Sequence, residues 1–317
     1  MFIPLGPAGK RRLPPFVTIA IIVVNVVIHV ATLGVAEDGD ARVEKAARHM
    51  WKLQRDILEE QDAFAMYPID ELITNEVTGR PMPQPAGFWG RWERGDIVET
   101  SDVRWREWQD AKLQVREAVR EQLHMRFGFR ANKPGPVSLV TSAFLHGGWG
   151  HLIMNMLMLW AVGATLEESW GRRLFALAYL VGVLIAPWGG IFGVDGGRVP
   201  GIGASGAIAT VMGAFAVRHF TERIRLFSFI PIPGVYNVHG GWFLLLWFGS
   251  QVLEHGKSLK EHFGGGVGFG VHVLGFLAGL GVALAFRAGG LQEKAEPQQE
   301  KLKAKVTRDE HAKRAEE

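Results

Sequence analysis

"VPGIGASGAIAT", Val199 to Thr210, admits three readings. Gly201, Gly203 and Gly206 match G-x-G-x-x-G, which cradles a pyrophosphate when a strand precedes it, a helix follows, and an acid stands about 20 positions on. Ser205 in the same run is a candidate nucleophile. The small residues are also a surface on which a second helix can pack. The preceding "GGIFGVDGGRVP" (Gly189–Pro200) is a glycine-rich loop and not a strand, and the nearest downstream acid, Glu222, stands among Arg218, Arg223 and Arg225. The nucleotide reading fails on both counts. A G-x-S-x-G nucleophile elbow fails too, because Gly206 directly follows Ser205.

The wider chain narrows the choice. It has 317 residues, 48% hydrophobic and 21% charged, with no Cys. Charge is segregated into roughly Glu37–Lys133 and Leu291–Glu317, with long apolar runs elsewhere. A membrane protein confines charge to loops and tails in this way. The formal net charge of +3 and the lack of a basic stripe argue against nucleic acid. Without cysteine, disulfides, thiolate metal sites and cysteine nucleophiles are excluded.

About 20 apolar residues span a bilayer as a helix. Six segments are candidates: Phe16–Leu33, about His151–Leu166, Leu174–Phe192 with Pro187 inside it, about Ser205–Val217, Gly241–Leu253 and Gly266–Phe286. The fourth and fifth are short. Irregular backbone at membrane depth is tolerated only where protein or water covers it, so a short helix starting at Ser205 implies a wet pocket at its N-terminus. The expectation is an all-α, polytopic membrane protein with a six-helix bundle. Its parts are a cytoplasmic N-terminus (1–15), a first transmembrane helix (16–35), an outer-side insert (36–135), a core with helices two to six (136–287) and a charged cytoplasmic tail (288–317).

Orientation follows the Lys/Arg bias of short loops. Lys10–Arg12, Arg172 and Arg173, Arg218, Arg223 and Arg225, and Arg287 all fall on one side, assigned as cytoplasmic. Ser205 then lies near the outer face. The first segment has a basic flank and a cleavage-like Gly34-Val35-Ala36, but its apolar run exceeds a signal-peptide core, which favours a retained helix. In the insert, Ala46, Met50, Leu53 and Ile57 recur at helical spacing, as do Trp105, Trp108, Val115 and Val119. Two amphipathic helices are expected, separated by a proline-rich turn at Arg80–Gly90, forming a cap or lying on the membrane interface.

Ser205, Ala209 and Gly213 repeat at i+4 on the fourth segment. Gly268, His272, Gly275, Gly279 and Ala283 share a face on the sixth. Small faces let membrane helices approach closely, so these two are expected to pack together. Packing explains the glycines but not a serine on one face and a histidine on the other. An ionisable residue inside a membrane segment is a functional-site candidate. Ser and His within reach of each other make an activated nucleophile with its general base. The nearest outer-side acid is Asp195, in a loop, so the arrangement reads as a dyad. In "FLHGGWGHLIMNMLMLW" (Phe144–Trp160), His151 and Asn155 lie one turn apart, with His146 just before them. They read as donors for an oxyanion. They lack the H-E-x-x-H spacing and the acidic third ligand of a metal site. Asn25 and His29 read as structural bonds between helices. His219, His239, His255 and His262 read as solvated loop or helix-end residues.

Three blocks now resemble the rhomboid family of intramembrane serine proteases: "HGGWGHLIMN", "PGIGASGAI" and "HVLGFLAG", in family order on helices two, four and six. "GATLEESWG" and "WFLLLWFGSQVL" add to the likeness. The resemblance implies Ser205 as nucleophile and His272 as general base. It implies an oxyanion site from His151, Asn155 and the Ser205 N–H, with His146, Gly203, Gly275 and Gly279 supporting. It also implies lateral substrate entry past the fifth helix, with Trp247 and Phe248 as gating candidates. No cofactor is implied. The implied partners are transmembrane protein substrates and the lipid bilayer; oligomeric state is left open. Three departures stand out. Val137-Ser138 replaces the family's frequent Trp-Arg. Ala209 stands where many members carry an aromatic that stacks on the histidine. The first loop is unusually long. The leading function is an intramembrane serine endopeptidase, and the rival is a non-proteolytic, helix-binding relative serving quality control or trafficking. A short basic N-terminus without a transit peptide fits a bacterial inner membrane.

Overall fold

The computed structural model describes residues 2–7, 13–59, 91, 94, 102–193, 196–228, 234–261, 267–292, 299–302 and 304–306. Lys10–Arg12, the Arg80–Gly90 turn, Asp195 and His262 lie outside the described residues. The chain forms two compact units: Met1–His29 with Phe129–Gly197 and Gly201–Glu317, and Val30–Gly128 with Arg198–Pro200.

Helix α1 runs without interruption from Phe16 to Glu59, through the Gly34–Ala36 stretch where the first transmembrane helix was expected to end. Its second part contributes Ala47, Met50 and Ile57 to the core of the second unit. There they meet Trp108, Ala111, Val115 and Val119 of α2 (Val103–Glu121) and Met125 of α3 (Leu123–Phe127). The two expected amphipathic stripes thus bury one another. Asp102 caps α2 by accepting from the Arg104 N–H at 2.8 Å. The buried Lys112 sets its ammonium 5.2 Å from the Trp108 ring centre.

The first unit begins with strand β1 (Phe2–Pro7). Helix α4 (Pro136–Thr141) and a 3₁₀ turn (Ser142–Phe144) lead into α5 (Trp149–Ile185). A second 3₁₀ segment (Ala186–Phe192) precedes α6 (Ser205–Arg218). Strands β2 (Arg223–Ser228) and β3 (Gly234–His239) follow, then α7 (Gly240–Glu261) and α8 (Val267–Ala288). The strands correct the all-α expectation: they form an antiparallel sheet ordered β1-β2-β3. In β2, Arg223 and Arg225 are exposed while Ile224 and Leu226 are buried, the period-two alternation of a half-buried strand. Counting only the arginines as loop charge hid that pattern.

Among the described residues, three helical stretches are long and apolar enough to cross a membrane: Phe16–Ile57, Trp149–Phe192 and Gly268–Ala288. Ser205–Arg218 and Gly240–Ser250 are shorter apolar helices. Helix α5 holds the second expected segment and, beyond a break at Gly171 whose φ of 78° and ψ of 163° are not helical, the third as far as Ile185, its remainder being the 3₁₀ segment Ala186–Phe192. Just before this break, the buried Glu167 carboxylate accepts from the N–H groups of Val17 and Thr18 at 2.9 and 2.8 Å, and from the Thr18 hydroxyl at 2.8 Å. It thereby satisfies orphan donors at the start of α1, where a negative charge is favoured.

The expected seam between small-residue faces is present. A Cβ on Gly279 would land on the Thr210 carbonyl, one on Gly275 on the Gly206 carbonyl, and one on Gly213 on the Phe276 carbonyl. Only glycine admits such backbone approach. Ala209 belongs to this seam, 3.2 Å from the Cβ position of Gly275.

Candidate active site

Ser205 is the first residue of α6, after Ala204. An α-helix leaves its first N–H groups without intrahelical acceptors, so this end offers donors and a positive dipole end beside the serine. Gly203 makes the turn possible. Its φ of 114° is a conformation that L side chains rarely adopt, and its N–H donates to the Ser142 carbonyl at 2.8 Å. Gly203 also lies against both candidate donors. A Cβ there would fall 2.8 Å from Cε1 and Nε2 of His151 and 3.5 Å from Nδ2 of Asn155. The first turn of α5 is thereby drawn onto the loop that presents Ser205.

Asn155 is 7% exposed, and its Nδ2 is buried without a hydrogen-bond acceptor among the described residues. An orphan buried donor costs about 1–3 kcal/mol, which makes this amide noteworthy. Ser205, Asn155 and His272 all line one cavity of about 570 Å³. Apolar side chains make up the rest of its wall: Met154 and Met158 from α5, Ile208 and Met212 from α6, Leu226 and Val238 from the sheet, and Phe243, Leu246 and Trp247 from α7. Sequence reasoning missed most of this wall. Ile208 and Met212 were legible, since they stand at i+3 and i+7 from Ser205. Leu226 and Val238 were not, because the sheet went unrecognised.

The serine's place also needs adjusting. Ser205 was expected on the packing stripe with Ala209 and Gly213. The seam is occupied by Gly206, Ala209, Thr210 and Gly213, while Ser205 lines the cavity beside it. On α8 the same division holds. Gly275 and Gly279 face α6, whereas the rings of His272 and Phe276 lie against Trp247 and Phe248 of α7, with centroids 5.6 and 4.9 Å apart. Trp247 therefore lines the cavity, and Phe248 packs on α8.

His146 stands behind this cluster. Its ring lies 5.1 Å from that of His151 and 6.4 Å from that of His29, and Nδ1 is 3.3 Å from the Phe144 carbonyl. Burial, with a smaller push from His151, lowers its pKa to about 4. It is neutral at pH 7. His29 also meets Trp149 edge-on at 4.8 Å, so it fills the space between α1 and the start of α5. Asn25 donates to Ile21 within its own helix at 2.8 Å and also acts on the Tyr179 hydroxyl of α5. His219 is not solvated. It is buried, with Nε2 2.9 Å from the Ser169 hydroxyl.

A nucleophile at a helix N-terminus, an imidazole in the same cavity and an orphan amide donor nearby are the parts required for acyl transfer. The Rhomboid domain family matches residues 134–289. The RHOMBOID-like protein 12, mitochondrial, of Arabidopsis thaliana is 32% identical over 114 residues, covering 31% of this chain and 34% of that protein. The Rhomboid protein 1, mitochondrial, of Saccharomyces cerevisiae is 35% identical over 114 residues, covering 35% and 31%. The Rhomboid protease GluP of Bacillus subtilis is 40% identical over 76 residues, covering 24% and 14%. The matches thus span about a third or less of these relatives. No solved structure gives a significant match.

Proposed function

We propose that this chain, a member of the rhomboid family through residues 134–289, is an intramembrane serine endopeptidase. Ser205 Oγ attacks a peptide carbonyl in or beside a substrate's transmembrane helix, and His272 takes the hydroxyl proton. The oxyanion is held by the Ser205 N–H, the Asn155 amide and His151. His272 returns the proton to the leaving amine, and water then resolves the acyl-enzyme. The observation that carries this reading is the buried, acceptor-free Asn155 Nδ2 in the same cavity as Ser205 and His272. A buried donor with no acceptor among the described residues suits a transient oxyanion.

The domain assignment follows the same reading. Residues 136–287 are the catalytic core with helices two to six, 36–135 the outer-side insert, and 1–15 and 288–317 the cytoplasmic ends. The basic residues support one common side: Arg172 lies against the Phe16 ring at 4.3 Å, and Gly6 pairs with Arg225. The partners are membrane-protein substrates. The relatives named above divide between mitochondrial and bacterial proteins, so the host membrane is assigned no further than an energy-transducing one.

Fluorophosphonate labelling of purified protein tests the reading. Covalent labelling is expected, lost in Ser205→Ala and strongly reduced in His272→Ala. Cleavage of a single-span reporter should follow the same order. Labelling that survives Ser205→Ala, or a wild-type protein that binds the reporter without cutting it, would favour the helix-binding rival.

A further inference from the structure

A catalytic imidazole works only when its ring is held in one orientation, since misplacement by an ångström costs orders of magnitude in rate. Two sides of the His272 ring can be followed. Along its own helix it lies over Gly268, with Cε1 3.4 Å from where a Cβ would stand, so the glycine leaves a slot for the ring. Helix α6 offers no flat surface one turn after Ser205. Ala209 is fully buried in the glycine seam. A ring from α7 does lie against His272: Trp247, 5.6 Å away and tilted by 45°.

Helix α7 also supplies one wall of the cavity. Phe243, Leu246 and Trp247 line the cavity, yet Leu246 is 71% exposed and Trp242 62%. A bulky polypeptide entering past this wall must displace it. Resting on the endopeptidase reading, we propose that Trp247 is a positioning residue for His272, so that the base is aligned only while α7 is closed. Entry past α7 lifts the tryptophan, and reclosure over bound substrate restores the base. The wall and the base are one mechanical unit, joined by a ring that the neighbouring helix could not provide.

Phe248 supplies the control. It holds α7 to α8 through Phe276 one turn away from His272, with ring centroids 4.9 Å apart. Its removal loosens the wall but leaves the Trp247 ring against the base. The test measures the inactivation rate constant and the apparent affinity of a small fluorophosphonate at Ser205, which needs no helix-sized opening. Trp247→Leu should lower the rate constant roughly tenfold with little change in apparent affinity. Trp247→Phe should recover most of it, and Phe248→Ala, which keeps the Trp247 ring, should lose clearly less than Trp247→Leu. Trp247→Leu labelling at the wild-type rate, or Phe248→Ala losing as much as Trp247→Leu, overturns the proposal, leaving Trp247 as wall only. Should Trp247→Leu fail to fold, the ratio of Trp247→Phe to Trp247→Met decides in the same sense. Wild-type protein that does not label at all sinks the endopeptidase reading itself, a different and recognisable outcome.

Discussion

Helix α8 meets its two neighbours in opposite ways. Towards α6 it presents Gly275 and Gly279, and backbone rests on backbone. Towards α7 it presents His272 and Phe276, and rings rest on rings. The first contact has no side chain that can rotate aside, so it opens only if a helix moves. The second is made of side chains with rotamers and of a helix whose outer residues are widely exposed. A protease that must hold a nucleophile still and admit a polypeptide needs both kinds of seam, and α8 carries one on each side.

Breaking the rigid seam should have the largest effect. Gly279→Val places a branched side chain on the Thr210 carbonyl, and no rotamer change can relieve it. A loss of about 3 kcal/mol or more is expected, read as a collapse of the thermal transition in detergent. An unshifted transition would show that the seam is not rigid. Breaking the other seam should cost less. Phe248→Ala removes one ring pair from a half-buried site, for a loss of about 1–2 kcal/mol, while reporter cleavage rises as the wall loosens. Slower cleavage with unchanged stability would contradict the division.

Acid acts on neither seam but behind the site. The α6–α8 glycines carry no titratable group, whereas His146 packs beside His151 and His29 with a pKa lowered to about 4. An unfolded histidine titrates near pH 6.5, so between these values the unfolded chain binds the proton that the folded one refuses. The stability this group contributes is intact above about pH 6.5 and is lost progressively as pH falls towards 4. His146→Gln should flatten that slope, measured as melting temperature at pH 7 and pH 5, and an unchanged slope would assign it elsewhere. The smallest effect is a gain. Gly281 lies on α8 away from both seams, with nothing within 4 Å of its Cβ position. Gly281→Ala should stabilise by about 0.5–1 kcal/mol through helix propensity alone. A loss would reveal a contact on the face that α8 leaves open.

Much of this was legible in the chain. Apolar runs, small-residue faces and three polar blocks put His151 with Asn155, then Ser205, then His272 on three successive helical segments, because helical period and membrane exclusion of charge act locally. The seam between α6 and α8 followed from glycine spacing. Ser205 was assigned to that seam, yet it stands beside it, since a period of 3.6 cannot say which edge of a stripe turns towards a third helix. The strand at Arg223–Ser228 carried its alternation openly, but its partner Phe2–Pro7 lies some 220 residues away, and no local signal announces such a pairing.

The sequence by itself determined the membrane character, the order of the segments and the residues capable of chemistry, because burial of apolar surface and the cost of buried charge are properties of composition and period. Only the tertiary structure decided which faces meet. It seated Gly203 against His151 and Asn155, floored the cavity with Leu226 and Val238, and laid Trp247 rather than a residue of α6 on His272. Those are contacts between segments far apart in the chain, and their geometry is fixed by close packing of all the helices together.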